Sequence, residues 1–100
     1  MKEIELGPID SFKEYPAQIT LDETPYWLVH TKEGEYRLLM AICPHAGGEI
    51  RPVENMFLCP LHWWTFDGET GNCTNVTDER LMQRTIEVRG GNLFAVGEDR

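Results

Sequence analysis

Cys43-Pro44-His45 and, thirteen residues on, Cys59-Pro60-Leu61-His62 constrain this chain more than any other feature. Two thiols and two imidazoles stand there in two short pairs. Either pair alone means little. Together they make a four-ligand metal site the first expectation, because thiolate and imidazole are ligands that metals share readily. Such a site obliges the fold to set two loops face to face, and the flanking sequence reads as short strands able to hold them.

The 100 residues give room for one domain, 1–100, near the small end of what can bury a continuous core. A bound metal would then supply a real share of the stability. A net charge of −8 argues against nucleic acid as a partner, since backbone phosphates attract the opposite sign. It suits steering toward a basic protein surface, and solvation explains it equally well. Met1-Lys2-Glu3-Ile4-Glu5 places acids where a secretory signal needs basic charge before an apolar run, and no stretch reaches the length of a membrane span. A cytoplasmic location is therefore expected. There reduced thiols read as ligands before disulfides, and the odd number of cysteines, three, fits that. The Asn-x-Thr sequences at Asn72 and Asn75 should then carry no glycan.

Ile4 and Leu6 suggest a first strand ended by Gly7-Pro8, and Asp10-Ser11-Phe12-Lys13-Glu14 one helical turn or a loop. Ile19 and Leu21 alternate with polar residues, as in an edge strand. Tyr26-Trp27-Leu28-Val29-His30 is aromatic and β-branched, hence a strand. Thr31-Lys32-Glu33-Gly34-Glu35 makes a turn, and residues 36–42 return as a mostly buried strand. Asn55 lies near a turn tip before the short strand Met56-Phe57-Leu58. Residues 63–67 form a strand or tight turn, and 67–72 carry turn signals. Residues 73–82 look irregular, with Thr77-Asp78-Glu79-Arg80 able to cap one helical turn. Residues 85–89, a Gly90-Gly91-Asn92 connection and residues 93–96 make the clearest hairpin. The last four residues should fray. Many short strands with Gly and Pro turns predict an all-β fold, a small antiparallel barrel or sandwich.

Zinc fingers commonly place a Cys pair first and a His pair later. Here each loop offers one Cys and one His, which suits a binuclear cluster. On these residues, with Gly47-Gly48 after the first pair and Phe66-Asp67 after the second, the chain closely resembles the Rieske [2Fe–2S] family over roughly residues 17–96. The resemblance implies a β-barrel or sandwich of the Rieske iron–sulfur protein type, with a cluster-binding subdomain of two loops at about residues 42–77. It implies a [2Fe–2S] cluster held by Cys43 and Cys59 on one iron and His45 and His62 on the other. High-potential members carry a further cysteine in each loop, and Gly47 and Leu61 stand at those positions, so no bridge can form. Those members also donate Ser and Tyr hydroxyls to the cluster, where this chain has Trp64 and Phe66. Fewer donors stabilise the reduced cluster less, which places the potential low in the Rieske range of about −150 to +300 mV.

Two features depart from the family pattern. Trp63 follows His62 where Gly is usual, as in ferredoxins of diiron monooxygenases. Residues 71–77 would have to cover the cluster without the usual proline. Cys73 reads as a half-buried thiol, His30 as a structural histidine and Trp27 as core. Trp63 and Trp64 divide between docking and packing. Pro44 and Pro60 fix loop φ, and Gly47 and Gly48 let the backbone approach sulfur. Glu49, Glu54, Asp67 and Glu69 either face a basic partner or solvate the loops.

The resulting expectation is a non-enzymatic one-electron carrier between a flavin-dependent reductase and a terminal oxygenase or hydroxylase. A small Rieske subunit of a nitrite reductase, and a zinc-binding structural or interaction module, stay open as alternatives.

Overall fold

The computed structural model describes residues 3–44, 47–61 and 63–100. Among these the chain forms strands β1 (Ile4–Pro8), β2 (Ala17–Leu21), β3 (Thr24–His30), β4 (Tyr36–Met40), β5 (Arg51–Val53), β6 (Met56–Cys59), β7 (Trp64–Asp67), β8 (Gln83–Arg89) and β9 (Asn92–Val96), with a 3₁₀ turn at Ile9–Ser11. Every pairing between them is antiparallel. A six-stranded sheet has the order β1-β9-β8-β4-β3-β2, and a three-stranded sheet the order β5-β6-β7.

The all-β expectation holds, in the form of a curled open sheet carrying a small second sheet. The large sheet has two edges, β1 and β2. Ile4 and Leu6 from one edge and Ala17 and Ile19 from the other nevertheless pack on one buried cluster with Tyr26, Leu28, Leu38, Leu93 and Ala95. The sheet curls around that cluster into a half-barrel. A second cluster joins Val29 and Leu39 of the large sheet to Phe57 and Phe66 of the small one, with Ala41, Cys43, Ile50, Cys59 and Leu81 between. Successive residues of a strand point to opposite faces. Leu28 and Leu38 therefore serve the first cluster and Val29 and Leu39 the second. Burial on both faces is why β3 and β4 read as nearly continuous apolar runs.

The β8–β9 hairpin pairs Arg89 with Asn92 across Gly90-Gly91, whose φ values of 55° and 83° suit a type I′ turn. Asp22-Glu23 closes the β2–β3 hairpin with φ of 49° and 69°. That is a turn its sequence does not announce, and it lets β3 begin at Thr24. Strand β1 takes in Gly7 and Pro8, which were expected to end it, through a bulge between Glu5 and Gly7, and stops at Pro8. Pro8 is tolerated there because β1 is an edge. Strand β4 ends at Met40 and not at Ile42. The Ala41 N–H turns to the Pro25 carbonyl (2.9 Å), and the Met40 N–H meets the Met82 carbonyl (2.8 Å), which ties the exit from the sheet to the return.

Two expectations fail. Residues 77–80 form no helical turn; Asp78 takes φ 65° and Asn72 bridges to Arg80 instead. The C-terminal residues are held. Gln83 and Arg100 exchange both main-chain hydrogen bonds (3.0 and 2.9 Å), and the Tyr26 hydroxyl donates to the Asp99 carboxylate at 2.8 Å.

Candidate metal centre

The first loop leaves β4 and closes on itself. The Cys43 N–H donates to the Gly48 carbonyl (2.8 Å), the Gly47 N–H to the Cys43 carbonyl (2.9 Å) and the Ile50 N–H to the Ala41 carbonyl (2.9 Å). Its exit is fixed from the core, where the Trp27 indole N–H donates to the Ile50 carbonyl at 2.9 Å and the Trp27 and Phe57 rings lie 6.1 Å apart. Trp27 is thus a packing residue, as expected. The second loop is the connection between β6 and β7. Cys59 pairs with Trp64 in the ladder, and its carbonyl accepts the Trp63 N–H at 2.9 Å.

The loops bring Cys43 and Cys59 into one buried cluster, with exposures of 1% and 0%. A Cβ added to Gly48 would lie 3.0 Å from Cys59 Sγ and 2.8 Å from Leu61 Cδ1, so the first loop presses its backbone against the sulfur of the second. The expected close approach of glycine backbone to thiol is therefore present at Gly48. His45 and His62, the other two expected ligands, lie outside the described residues. Among the described residues no three His, Cys, Asp or Glu side chains gather into a metal-holding group. The cysteines themselves fit a metal centre: soft donors from separate loops, converging where water is excluded, beside a position that only glycine leaves open.

A third segment, residues 71–77, docks on the second loop and on β7. Phe66 bridges to Cys73, and the Thr74 N–H donates to the Thr65 carbonyl at 2.8 Å. The hydroxyls of Thr65 and Thr74 share a hydrogen bond. Asn75 is the residue sequence reasoning missed. Its Nδ2 donates to the Trp63 carbonyl (3.0 Å), and its Oδ1 accepts from the Thr65 N–H (3.2 Å) and from Cys73 Sγ (3.3 Å). It clamps the segment onto the second loop without proline. The only signal was an Asn in a polar irregular stretch. Half-buried Cys73 packs on the cysteine cluster, as read from the sequence.

The two tryptophans differ in setting: Trp63 is 67% exposed, and Trp64 packs half-buried against the cluster. Phe66 is fully buried there. Asp67 has a structural task. Its Oδ1 accepts the N–H groups of Thr70 (2.9 Å) and Glu69 (2.8 Å), and these bonds hold its carboxyl below the ordinary range. Glu49 and Glu54 are exposed. His30 stacks on Tyr36, with ring centroids 4.4 Å apart, which bears out a structural histidine.

Comparison with known proteins places this geometry. A family model described as the Rieske [2Fe-2S] domain matches residues 3–87. The oxygenase component of 3-ketosteroid-9-alpha-monooxygenase from Mycolicibacterium smegmatis is 29% identical over 89% of this chain. Cholesterol 7-desaturase nvd from Xenopus laevis is 38% identical over 46% of it. The chain spans only 26% and 11% of the lengths of these relatives. The solved plasma membrane Rieske protein PetC3 from Synechocystis PCC 6803 shares the fold, with a TM-score of 0.77 at 18% identity, covering 94% of this chain and 99% of that one.

Proposed function

Since this chain belongs to the Rieske [2Fe–2S] domain family, we propose that it carries single electrons from a flavin-dependent reductase to a terminal oxygenase or hydroxylase. In this reading 1–100 is a single domain working in the cytoplasm, and residues 42–77 are its cluster-binding subdomain. Cys43 and Cys59 hold one iron of a [2Fe–2S] cluster, and His45 and His62 the other. When bound, such a cluster takes up and releases one electron reversibly.

The observation that carries the reading is the meeting of Cys43 and Cys59, from separate loops, in one apolar cluster with Gly48 against the Cys59 sulfur. The chain's residues then set the environment. Phe66 brings no proton donor, and Trp64 only its indole N–H. With no hydroxyl at either position, the added negative charge of the reduced state is less stabilised, which supports a potential in the lower part of the range of about −150 to +300 mV. Trp63 and Leu61, exposed to 67% and 59%, offer the apolar anchors of a docking face, and exposed Glu49 and Glu54 suit a partner with basic charge. Among the described residues no helix is long and apolar enough to cross a membrane.

Purified protein should be coloured and give a reduced Rieske electron paramagnetic resonance signal. That signal should vanish in His45→Ala and in His62→Ala. A colourless, zinc-loaded protein would overturn the reading, and so would a normal signal surviving in either variant. Redox titration tests the donor argument separately: a midpoint well above about 0 mV would refute it.

A further inference from the structure

Among the described residues, five other than glycine take a positive φ. Asp22, Glu23, Glu54 and Asp78 are acidic residues in turns. The fifth is Trp63, at φ 59°. For a bulky side chain this conformation is an outlier that the surrounding structure has to impose. The imposing contacts are two. The Trp63 N–H donates to the Cys59 carbonyl (2.9 Å), and the Trp63 carbonyl accepts from Asn75 Nδ2 (3.0 Å). Asn75 is anchored in turn, its Oδ1 accepting from the Thr65 N–H (3.2 Å) and from Cys73 Sγ (3.3 Å). Packing does not account for the indole. It belongs to neither buried cluster, and at 67% it is the most exposed large apolar side chain among the described residues. Glycine would take the same backbone without strain and expose less apolar surface.

We propose that Trp63 is a preset contact for the redox partner and that Asn75 is the positioning residue that holds it in place. The inference rests on the electron-carrier reading above and names the device by which that reading's docking face is shaped. A tryptophan fixed at both its N–H and its carbonyl loses little main-chain freedom on docking, and preorganisation of this kind raises affinity without new contacts. Trp63 also follows directly on the expected ligand His62, so what it touches lies beside the expected electron exit. Leu61, 59% exposed, lies against Gly48, and exposed Glu49 comes next in the first loop. The tip is therefore apolar with acid at its edge, on a chain of net charge −8. The partner that fits is a redox protein with an apolar recess ringed by basic charge. A second copy of this chain carries the same −8 and is repelled.

The test is stopped-flow oxidation of the reduced, metal-loaded protein by ferric cytochrome c, a basic haem protein, and by the small complex tris(phenanthroline)cobalt(III). Each event moves one electron from the reduced protein to ferric haem or to Co(III), and no bond forms or breaks. Trp63→Gly keeps the backbone and removes the anchor. It should slow the reaction with cytochrome c about tenfold, with the cobalt rate, the midpoint potential and the reduced resonance signal unchanged. It should also melt above Trp63→Ala, which keeps the strain. Asn75→Ala should slow the cytochrome c reaction about threefold, and add nothing in the Trp63→Gly background, because it acts through Trp63. Val88→Ala, on β8 and 52% exposed, should change nothing. An unchanged cytochrome c rate in Trp63→Gly overturns the proposal. So does an equal fall with the cobalt complex, which would mean a disturbed metal centre, and so does an Asn75→Ala effect of the same size in both backgrounds. A parent that sediments as a dimer, and as a monomer in Trp63→Gly, overturns it in favour of a second copy. A parent without a Rieske signal is a different failure: it removes the electron-carrier reading and this proposal with it.

Discussion

Gly48→Ala tests the contact on which the two-loop geometry rests. The added Cβ would sit 3.0 Å from Cys59 Sγ, and ordinary contact begins at 3.4 Å. The same Cβ meets Leu61 Cδ1 at 2.8 Å and Cγ at 3.1 Å. The two neighbours differ in what they can yield. Leu61 is 59% exposed and swings aside cheaply. Cys59 is fully buried and held by its ladder pair with Trp64 and by the Trp63 N–H. Forcing a methyl against a fixed atom costs about 1–3 kcal/mol. Replacing Gly by Ala returns about 0.4–1 kcal/mol by stiffening the unfolded chain. A net loss of about 1 kcal/mol follows, which lowers the melting temperature of a domain this size by about 4–8 °C. Thermal melts followed by circular dichroism should be run on Gly48→Ala, Leu61→Ala and the double variant, treated as a mutant cycle. If Cys59 is the obstacle, Leu61→Ala recovers little of the loss. Full recovery in the double variant, or a Gly48→Ala protein as stable as the parent, would refute the close approach of backbone to sulfur.

Three further outcomes are expected. Asn75→Ala should lower stability by about 1–2 kcal/mol and speed amide exchange at Thr65, because the N–H of Thr65 and the carbonyl of Trp63 both lose their Asn75 partner; an unchanged exchange rate at Thr65 would discount the clamp. Asp67 has a depressed carboxyl pKa, so its contribution is present above the unfolded value of about 3.9 and lost as pH falls through the lower folded value. Asp67→Asn keeps an acceptor for the turn and should flatten the stability curve in that acid window, as urea titrations at stepped pH would show. Tyr26 is pushed up to about 12 by burial and by its hydrogen bond to Asp99, so the neutral phenol is favoured on folding. Its contribution holds below about pH 10 and fades as pH rises toward the folded value; Tyr26→Phe should lose that alkaline slope and loosen the residues around Asp99.

What could be read in advance follows from how each signal arises. The β8–β9 hairpin was legible because two glycines sit where a type I′ turn needs positive φ. Strands β3 and β4 were legible because both faces are buried. Strand β5 escaped notice, since its three residues are all exposed, include Pro52 and show no alternation. The Asp22-Glu23 turn escaped because tertiary pairing imposes a conformation that Glu has little intrinsic tendency to adopt. The ordered C-terminal residues depend on Tyr26 and Arg80, far away in sequence. At the candidate site, the two Cys-Pro pairs and the glycines were visible in the chain, and the fold adds that Cys43 and Cys59 share one buried cluster with Gly48 against the Cys59 sulfur. Asn75 acts through three hydrogen bonds that only folding assembles.

The hydrogen bond from Met40 to Met82 has a consequence for how this domain can change over time. Strands β4 and β8 are ladder neighbours, so everything between them is an excursion that departs and returns through one stapled gate. Lengthening a chain whose ends are already held costs little entropy, about 0.6 kcal/mol per doubling. Its tips, at Glu54-Asn55 and around Leu61 and Trp63, can therefore vary in length and chemistry while the ladder beneath is untouched. Wholesale removal is another matter, because Trp27, Val29 and Leu39 would lose the surface that covers them. The arrangement leaves the rim of the candidate site free to drift over a supporting wall that is fixed.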